Sequence, residues 1–154
     1  MSFVARIETR AYSRVTEVLD RVVTAVLNLY PEKYRHIVEF DISRTVGHSG
    51  YEIQVVESEL KDKVGCEDTL DYIFRRFDER DRERLFNSLS RRLNQHCFFF
   101  IRIDKQAAFL DEIVLAREAD VISVQVHIRQ YPRCKQEEVI AMLERRLRAA
   151  GGDS

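Results

Sequence analysis

Ile122, Val124, Val126 and Ile128 alternate with Ser123, Gln125, His127 and Arg129, and this run restricts the fold more than any other feature of the chain. Strict alternation puts the apolar side chains on one face of a β-strand and the polar ones on the other. Such a strand belongs in a sheet that is covered on one side only. The same period runs from Phe3 to Tyr12, with Phe3, Ala5, Ile7, Thr9 and Ala11 opposite Val4, Arg6, Glu8, Arg10 and Tyr12. Parallel doubly wound sheets want near-continuous apolar strands, and most strands here are not of that kind. The pattern implies an α+β fold: a mainly antiparallel sheet of four to five strands with helices packed on one face.

The other elements fall between these strands. Ser13 stands as a cap for a helix carrying Val15, Val18, Leu19, Val22, Val23, Val26 and Leu27, which Pro31 stops. Val38, Phe40 and Ile42 begin a second strand, Gly47-His48-Ser49-Gly50 turns the chain, and a third strand runs from Tyr51 to about Glu59. That pair reads as a hairpin. Leu70, Ile73, Phe74 and Phe77 mark a second helix, with Glu67, Asp68 and Asp71 near its positive end. Leu85, Phe86, Leu89 and Leu93 mark a third, between Asp78 and Asn94. Cys97 to Asp104 is an apolar strand, and the last helix carries Val139, Ile140, Leu143 and Leu147 before Gly151 ends it. The order is β-α-β-β-α-α-β-β-α, with a further short strand expected near Ile113.

A length of 154 residues suits one domain, drawn as residues 1–150, with 151–154 as a flexible C-terminal tail. The formal net charge of -1 lacks the basic excess of a dedicated duplex-binding domain, so any nucleic-acid contact must come from local clustering. Of the 25 basic residues 20 are Arg, a bias that base composition or surface ion pairing accounts for more simply than phosphate recognition. Cys66, Cys97 and Cys134 are odd in number and far apart, which suggests neither a disulfide framework nor a zinc module and suits a reducing, cytoplasmic setting. The first ten residues carry Arg6, Glu8 and Arg10 and so lack a signal-peptide core. No stretch has the ~18 apolar residues of a membrane span, and a soluble protein without membrane contact is expected.

The sequence carries no catalytic signature. There is no phosphate-cradling loop, dinucleotide fingerprint or nucleophile elbow, and five glycines leave little room for a cofactor cradle. His36, His48, His96 and His127 are scattered without metal-ligand spacing. A non-enzyme without cofactor or metal is the expectation.

The uncovered sheet face offers more. It collects Arg6, Glu8 and Arg10 from the first strand, Arg102 and Asp104 from the fourth, and Ser123, Gln125, His127 and Arg129 from the last: four Arg against two acids. Phe98 and Phe100 share the parity of Arg102, so they either stack on unpaired bases or belong to core or interface, and the apolar run Cys97–Phe100 favours the latter. For the Arg set a solvated, salt-bridged face and an RNA surface stand level. The arginines from Arg75 to Arg92 alternate with acids and read as a solvated helix pair, while Arg145, Arg146 and Arg148 suit a helix C-terminus.

Two stretches carry a resemblance. Arg102-Ile103-Asp104-Lys105-Gln106-Ala107-Ala108-Phe109-Leu110, followed by Asp120-Val121-Ile122, resembles the archaeal RNA-binding family often described as predicted exosome subunits. Gly47-His48-Ser49-Gly50 occupies the place of that family's second motif, with Tyr51-Glu52 where the family has Asn-Pro. The resemblance implies a fold like the large-subunit ribosomal protein that contacts the 5S RNA, and a non-catalytic RNA-binding function, as an accessory in archaeal RNA processing or ribosome-related work. Its partners would be RNA and a protein of the RNA-processing machinery. The alternative is a protein-interaction subunit or homodimer without RNA contact. The RNA-contacting set is then Arg6, Arg10, Arg44, His48, Arg102, Lys105, Gln106 and Arg129. Lys105 and Gln106 would touch a phosphate and a base edge or 2′-OH. In the competing reading Asp104 caps a helical turn, with Ala107, Ala108 and Leu110 buried beneath it.

Overall fold

One sheet organises the molecule. A computed structural model describes residues 3–47 and 50–152. Its strands are β1 (Val4–Ser13), β2 (Glu39–Val46), β3 (Glu52–Leu60), β4 (Phe98–Asp104) and β5 (Val121–Ile128), in spatial order β2-β3-β1-β5-β4. Every neighbouring pair is antiparallel, as the alternation of apolar residues requires. The helices are α1 (Leu19–Leu27), α2 (Lys63–Arg76), α3 (Glu79–Phe86), α4 (Leu89–Arg92), α5 (Lys105–Phe109) and α6 (Gln136–Ala150), with a 3-10 turn at Glu32–Ile37. Ile7, Ala11, Val56, Leu60, Phe99, Ile101, Ile122, Val124 and Val126 from the sheet are buried against Val22, Val26, Leu70, Phe74, Val139, Leu143 and Leu147 from the helices. The opposite sheet face stays open.

The core holds a short polar chain. Tyr30 Oη lies 2.8 Å from Ser58 Oγ, which lies 2.5 Å from Thr9 Oγ1, so three buried hydroxyls satisfy one another. Burial pushes the Tyr30 phenol well above its ordinary range, and the group stays neutral. A second knot joins α6 to α2. Arg146 reaches Glu67 at 2.8 Å and Asp71 at 2.9 Å, its guanidinium lies 5.5 Å from the Phe3 ring centre, and Glu67 also accepts the Val4 N–H. The helix dipole alone therefore does not account for Arg146. Arg82 likewise donates to the carbonyls of Arg75 and Phe77, closing the C-terminus of α2.

Several expectations are corrected. Ser13 is not a helix cap but the buried end of β1, paired with Gln54, and α1 starts only at Leu19, leaving Val15 and Val18 exposed. A register shift between Val4 and Arg6 places Val4 in the core beside Phe3, which alternation alone assigned to the open face. The third helix breaks after Phe86 and resumes at Leu89. The strand expected near Ile113 is a single bridge between Leu115 and Ile103. Cys97 and Cys134 are joined by a disulfide across 37 residues, with Cα atoms 5.4 Å apart. Spacing could not show this: the fold brings the loop before α6 beside the start of β4, and only Cys66 is free.

Candidate nucleic-acid interface

Strand register decides the chemistry of the open face. Two rows cross the sheet from β4 to β2. The first reads Phe100, Gln125, Glu8, Glu59 and Glu39; the second reads Arg102, Ser123, Arg10, Glu57 and Asp41. An open concavity of about 670 Å³ lies over these rows. Four carboxylates thus stand on the β2–β3 half, where the expected balance of four Arg against two acids took no account of them. The β4–β5 half carries none of the acids in these rows. A phosphate chain is repelled by the first half and tolerated by the second.

The arginines on the face divide accordingly. Arg10 is tied to Glu57 at 3.1 Å, and that hydrogen bond and charge hold its guanidinium above the ordinary value. Arg6 lies 3.2 Å from Glu8 and 3.6 Å from Glu59. Arg102 is exposed and has no salt-bridge partner among the described residues. Arg129 is half-exposed one residue beyond β5, its N–H bonded to the Phe3 carbonyl at 2.8 Å. Arg44 lies on β2 with the opposite parity, away from the open face, and pairs with Glu52 at 3.1 Å. His48 lies outside the described residues. The register therefore places Arg6, Arg10 and Arg102 on the open face, leaves Arg129 just beyond the end of β5, and puts Arg44 on the other side.

Beside Arg102 the aromatic residues are ordered. Phe99 points into the core, while Phe98 is half-buried and Phe100 exposed at 38%. Phe98 packs on His127, ring centres 4.3 Å apart. Arg6 Nε donates to His127 Nδ1 at 3.3 Å, while His127 Nε2 lies 3.2 Å from Gln125 Nε2 and 3.5 Å from Glu8. Burial holds the His127 pKa down, helped by Arg6 and opposed by Glu8. Gln125 and Ser123 complete a strip of neutral hydrogen-bonding groups next to the rings.

Lys105 proves to be an interior residue. Its side chain is 3% exposed, and Nζ lies 2.7 Å from the Tyr12 carbonyl, 2.9 Å from Glu17 and 2.8 Å from Asp120. Three oxygens occupy its three protons, so a phosphate contact is replaced by a buttress between β1, α5 and β5. Gln106 is exposed but donates to Asp120 at 3.0 Å, and Asp104 caps α5 by accepting the Ala107 N–H at 2.8 Å. Ala108 is buried beneath it, Ala107 is half-buried and Leu110 is exposed, so the competing reading holds for the cap and for Ala108 only.

One group of arginines has surroundings that local sequence does not reveal. Arg84 and Arg92, assigned to a solvated helix pair, lie toward the β4 edge: Arg92 bonds the Ser88 hydroxyl, Ser88 the Arg84 carbonyl, and Arg84 the carbonyl of Ala116, which pairs with Arg102. The Arg91-Arg92 doublet was the visible signal; what it faced was not. Among the described residues, no group of three or more His, Cys, Asp or Glu is placed to hold a metal ion.

Five antiparallel strands, helices over one face and a bare second face define an open-faced α+β sheet protein. The chain belongs to the RNA-binding family, whose model matches residues 6–128. It is 30% identical over 139 residues to an RNA-binding protein of Pyrococcus abyssi (strain GE5 / Orsay), covering 90% of each chain. A crystal structure of an Archaeoglobus fulgidus protein of the DUF54 family is 26% identical, with a TM-score of 0.79 over 93% of this chain and 99% of that one. A DUF54 protein from Methanothermobacter thermautotrophicus shares the fold at 20% identity, with a TM-score of 0.74 over 94% of this chain and 98% of that one.

Proposed function

We propose that this protein binds single-stranded or looped RNA, without catalysis, on the β4–β5 half of its open sheet face. The observation that carries the reading is the segregation set by register: carboxylates gather on β2–β3, while exposed Phe100 stands beside unpaired Arg102 on β4. A base stacks on Phe100 and against the edge of Phe98, Gln125 and Ser123 offer hydrogen bonds to base edges, and Arg102 and Arg129 meet phosphates. The family membership and the Pyrococcus abyssi relative's name support RNA as the ligand. Unstacked bases suit this face better than a duplex, because only one half of it accepts phosphate.

An accessory place in RNA processing or ribosome-related work, next to a protein partner and in the cytoplasm, belongs to the same proposal. Titration of a labelled single-stranded oligonucleotide tests the binding mode. Phe100→Ala should weaken binding by about 1–3 kcal/mol, the usual worth of one stacked base, with the melting temperature held. Glu57→Gln, on the acidic half, should leave binding unchanged or slightly stronger. Equal loss in both variants would reject the assignment to the β4–β5 half.

A further inference from the structure

The rim of β4 concentrates positive charge without matching acids. Arg84 comes from α3, Arg91 and Arg92 from α4, and Arg102 from β4 itself. A relay of neutral groups links Arg92, Arg84 and the backbone of Arg102. Arg92 Nε donates to Ser88 Oγ at 2.8 Å, and that hydroxyl donates to the Arg84 carbonyl at 2.8 Å. Arg84 Nη2 donates to the Ala116 carbonyl at 3.5 Å, and the Ala116 N–H to the Arg102 carbonyl at 2.9 Å. Asp81 is the one acid within salt-bridge reach of any of the four among the described residues. It is already satisfied, by Arg84 at 3.3 Å and by the Leu115 N–H at 2.9 Å. Four positive charges less one negative leave three uncompensated.

Lost water, and then the charges of Arg84, Arg91 and Arg102, hold the Arg92 pKa below its ordinary value. Like charges brought this close raise the energy of the free protein, and an anion seated among them lowers it. The bonds to Ser88, Ala116 and Asp81 fix Arg92 and Arg84 in place but leave the mutual repulsion of the cluster uncompensated. Arg102 and Phe100 also project from the same face of β4, about 7 Å apart along the strand, so the cluster continues the aromatic platform around the sheet edge.

We propose that Arg84, Arg91, Arg92 and Arg102 form a phosphate clamp that takes the RNA backbone as it leaves the Phe98–Phe100 platform over the edge of β4. The clamp rests on the RNA-binding reading and extends it to a surface outside the open face. Guanidinium forks suit this work, because they grip phosphate oxygens in pairs and remain charged when partly dehydrated.

The test uses the full chain and a labelled uridine oligonucleotide at several salt concentrations. The double variant Arg91→Gln, Arg92→Gln should bind about tenfold more weakly, and the slope of log K against log salt should flatten by roughly 1.4, or 0.7 for each lost phosphate of a single strand. Arg92 also bonds Ser88, so Arg91→Gln alone guards against a folding defect and should flatten the slope by roughly 0.7. Wild-type affinity and slope in both variants would overturn the clamp. If Phe100→Ala weakens binding while both Arg variants bind normally, the platform stands and the clamp falls. If the Arg variants weaken binding and Phe100→Ala does not, the clamp stands and the platform falls.

Discussion

Replacing Lys105 by Met separates structure from binding at the residue where the two readings differ most. Met keeps the length and packing of the stem and removes only the ammonium. The wild-type Nζ donates to the Glu17 and Asp120 carboxylates and to the Tyr12 carbonyl, all within 2.9 Å. Hydrogen bonds to charged groups contribute about 1.5–3 kcal/mol each, and breaking a buried ion pair by removing one partner costs about 3–5 kcal/mol. Glu17 and Asp120 are 21% and 33% exposed and regain water when the lysine goes. The expected loss is therefore at the low end, about 3 kcal/mol, or roughly 6–12 °C in melting temperature for a chain of this size.

The loss should also depend on pH. Burial pushes the Asp120 carboxyl up, but hydrogen bonds from Gln106 and Lys105, with the charges of Lys105 and Arg14, outweigh it and hold the group below the usual range. A depressed carboxylate stabilises the fold above its unfolded value, and that stabilisation disappears as pH falls through the folded one. The gap between wild type and Lys105→Met should be widest at neutral pH and close below about pH 4. Thermal melts across that range, with an RNA titration well below the melting point, check both points. An unchanged melt with weakened RNA binding would refute the buttress and restore Lys105 as a phosphate contact.

Three further outcomes follow from the buried groups. Cys134→Ser opens a loop closed across 37 residues and should cost up to about 4 kcal/mol by the chain-entropy estimate, read from denaturant unfolding without reductant. Cys66, whose thiol burial pushes up to about 12 and which donates to the Leu60 carbonyl, should resist alkylation in the folded protein and react on unfolding; rapid labelling under native conditions would contradict its burial. His127 is held below its ordinary 6.5, so the folded state favours the neutral ring, and its contribution is complete above about pH 6.5 and declines as pH falls through the folded value. The melting temperature of wild type should accordingly drop more between pH 7 and about pH 5 than that of His127→Gln, and parallel curves would count against this assignment.

Much of the fold was legible because period and covering go together. β5 alternates from Ile122 to Val126 and is found as expected, with Ile122, Val124 and Val126 buried and Ser123 exposed. The hairpin of β2 and β3 and the cap at Asp104 were equally readable, since both depend on residues close in sequence. What escaped depends on residues far apart. Nothing local shows that Glu57 and Glu59 lie between Asp41 and Glu39 on one side and Arg10 and Glu8 on the other. The disulfide, the three oxygens around Lys105 and the arginines around Arg92 fail in the same way: each is set by strand order and helix placement, and composition cannot report it. The start of α1 escaped for a different reason, because Val15 and Val18 keep the helical period yet are exposed.

The near-zero net charge, which first counted against nucleic acid, acquires a physical meaning once the rows are laid out. A protein that gripped RNA through charge alone would hold any polyanion, duplex DNA included, because phosphate contacts carry no sequence information. Here the carboxylates of β2 and β3 face the same concavity as Arg10 and are partly spent on Arg6 and Arg10. They neutralise the cations at the centre of the sheet and leave Arg102, with the rim behind it, as the uncompensated positive charge. A rigid duplex laid across the face would press one backbone against Glu39 and Asp41. In the proposed binding mode a single strand would bend, placing bases on Phe100 and phosphates over the β4 edge, and so avoid them. Discrimination would then come from where negative charge is put, as much as from the residues that attract. Neutralising Asp41 and Glu57 together, by Asp41→Asn and Glu57→Gln, should raise duplex affinity more than single-strand affinity at the same salt. An equal gain for both would show that the acids only dilute the field and do not select.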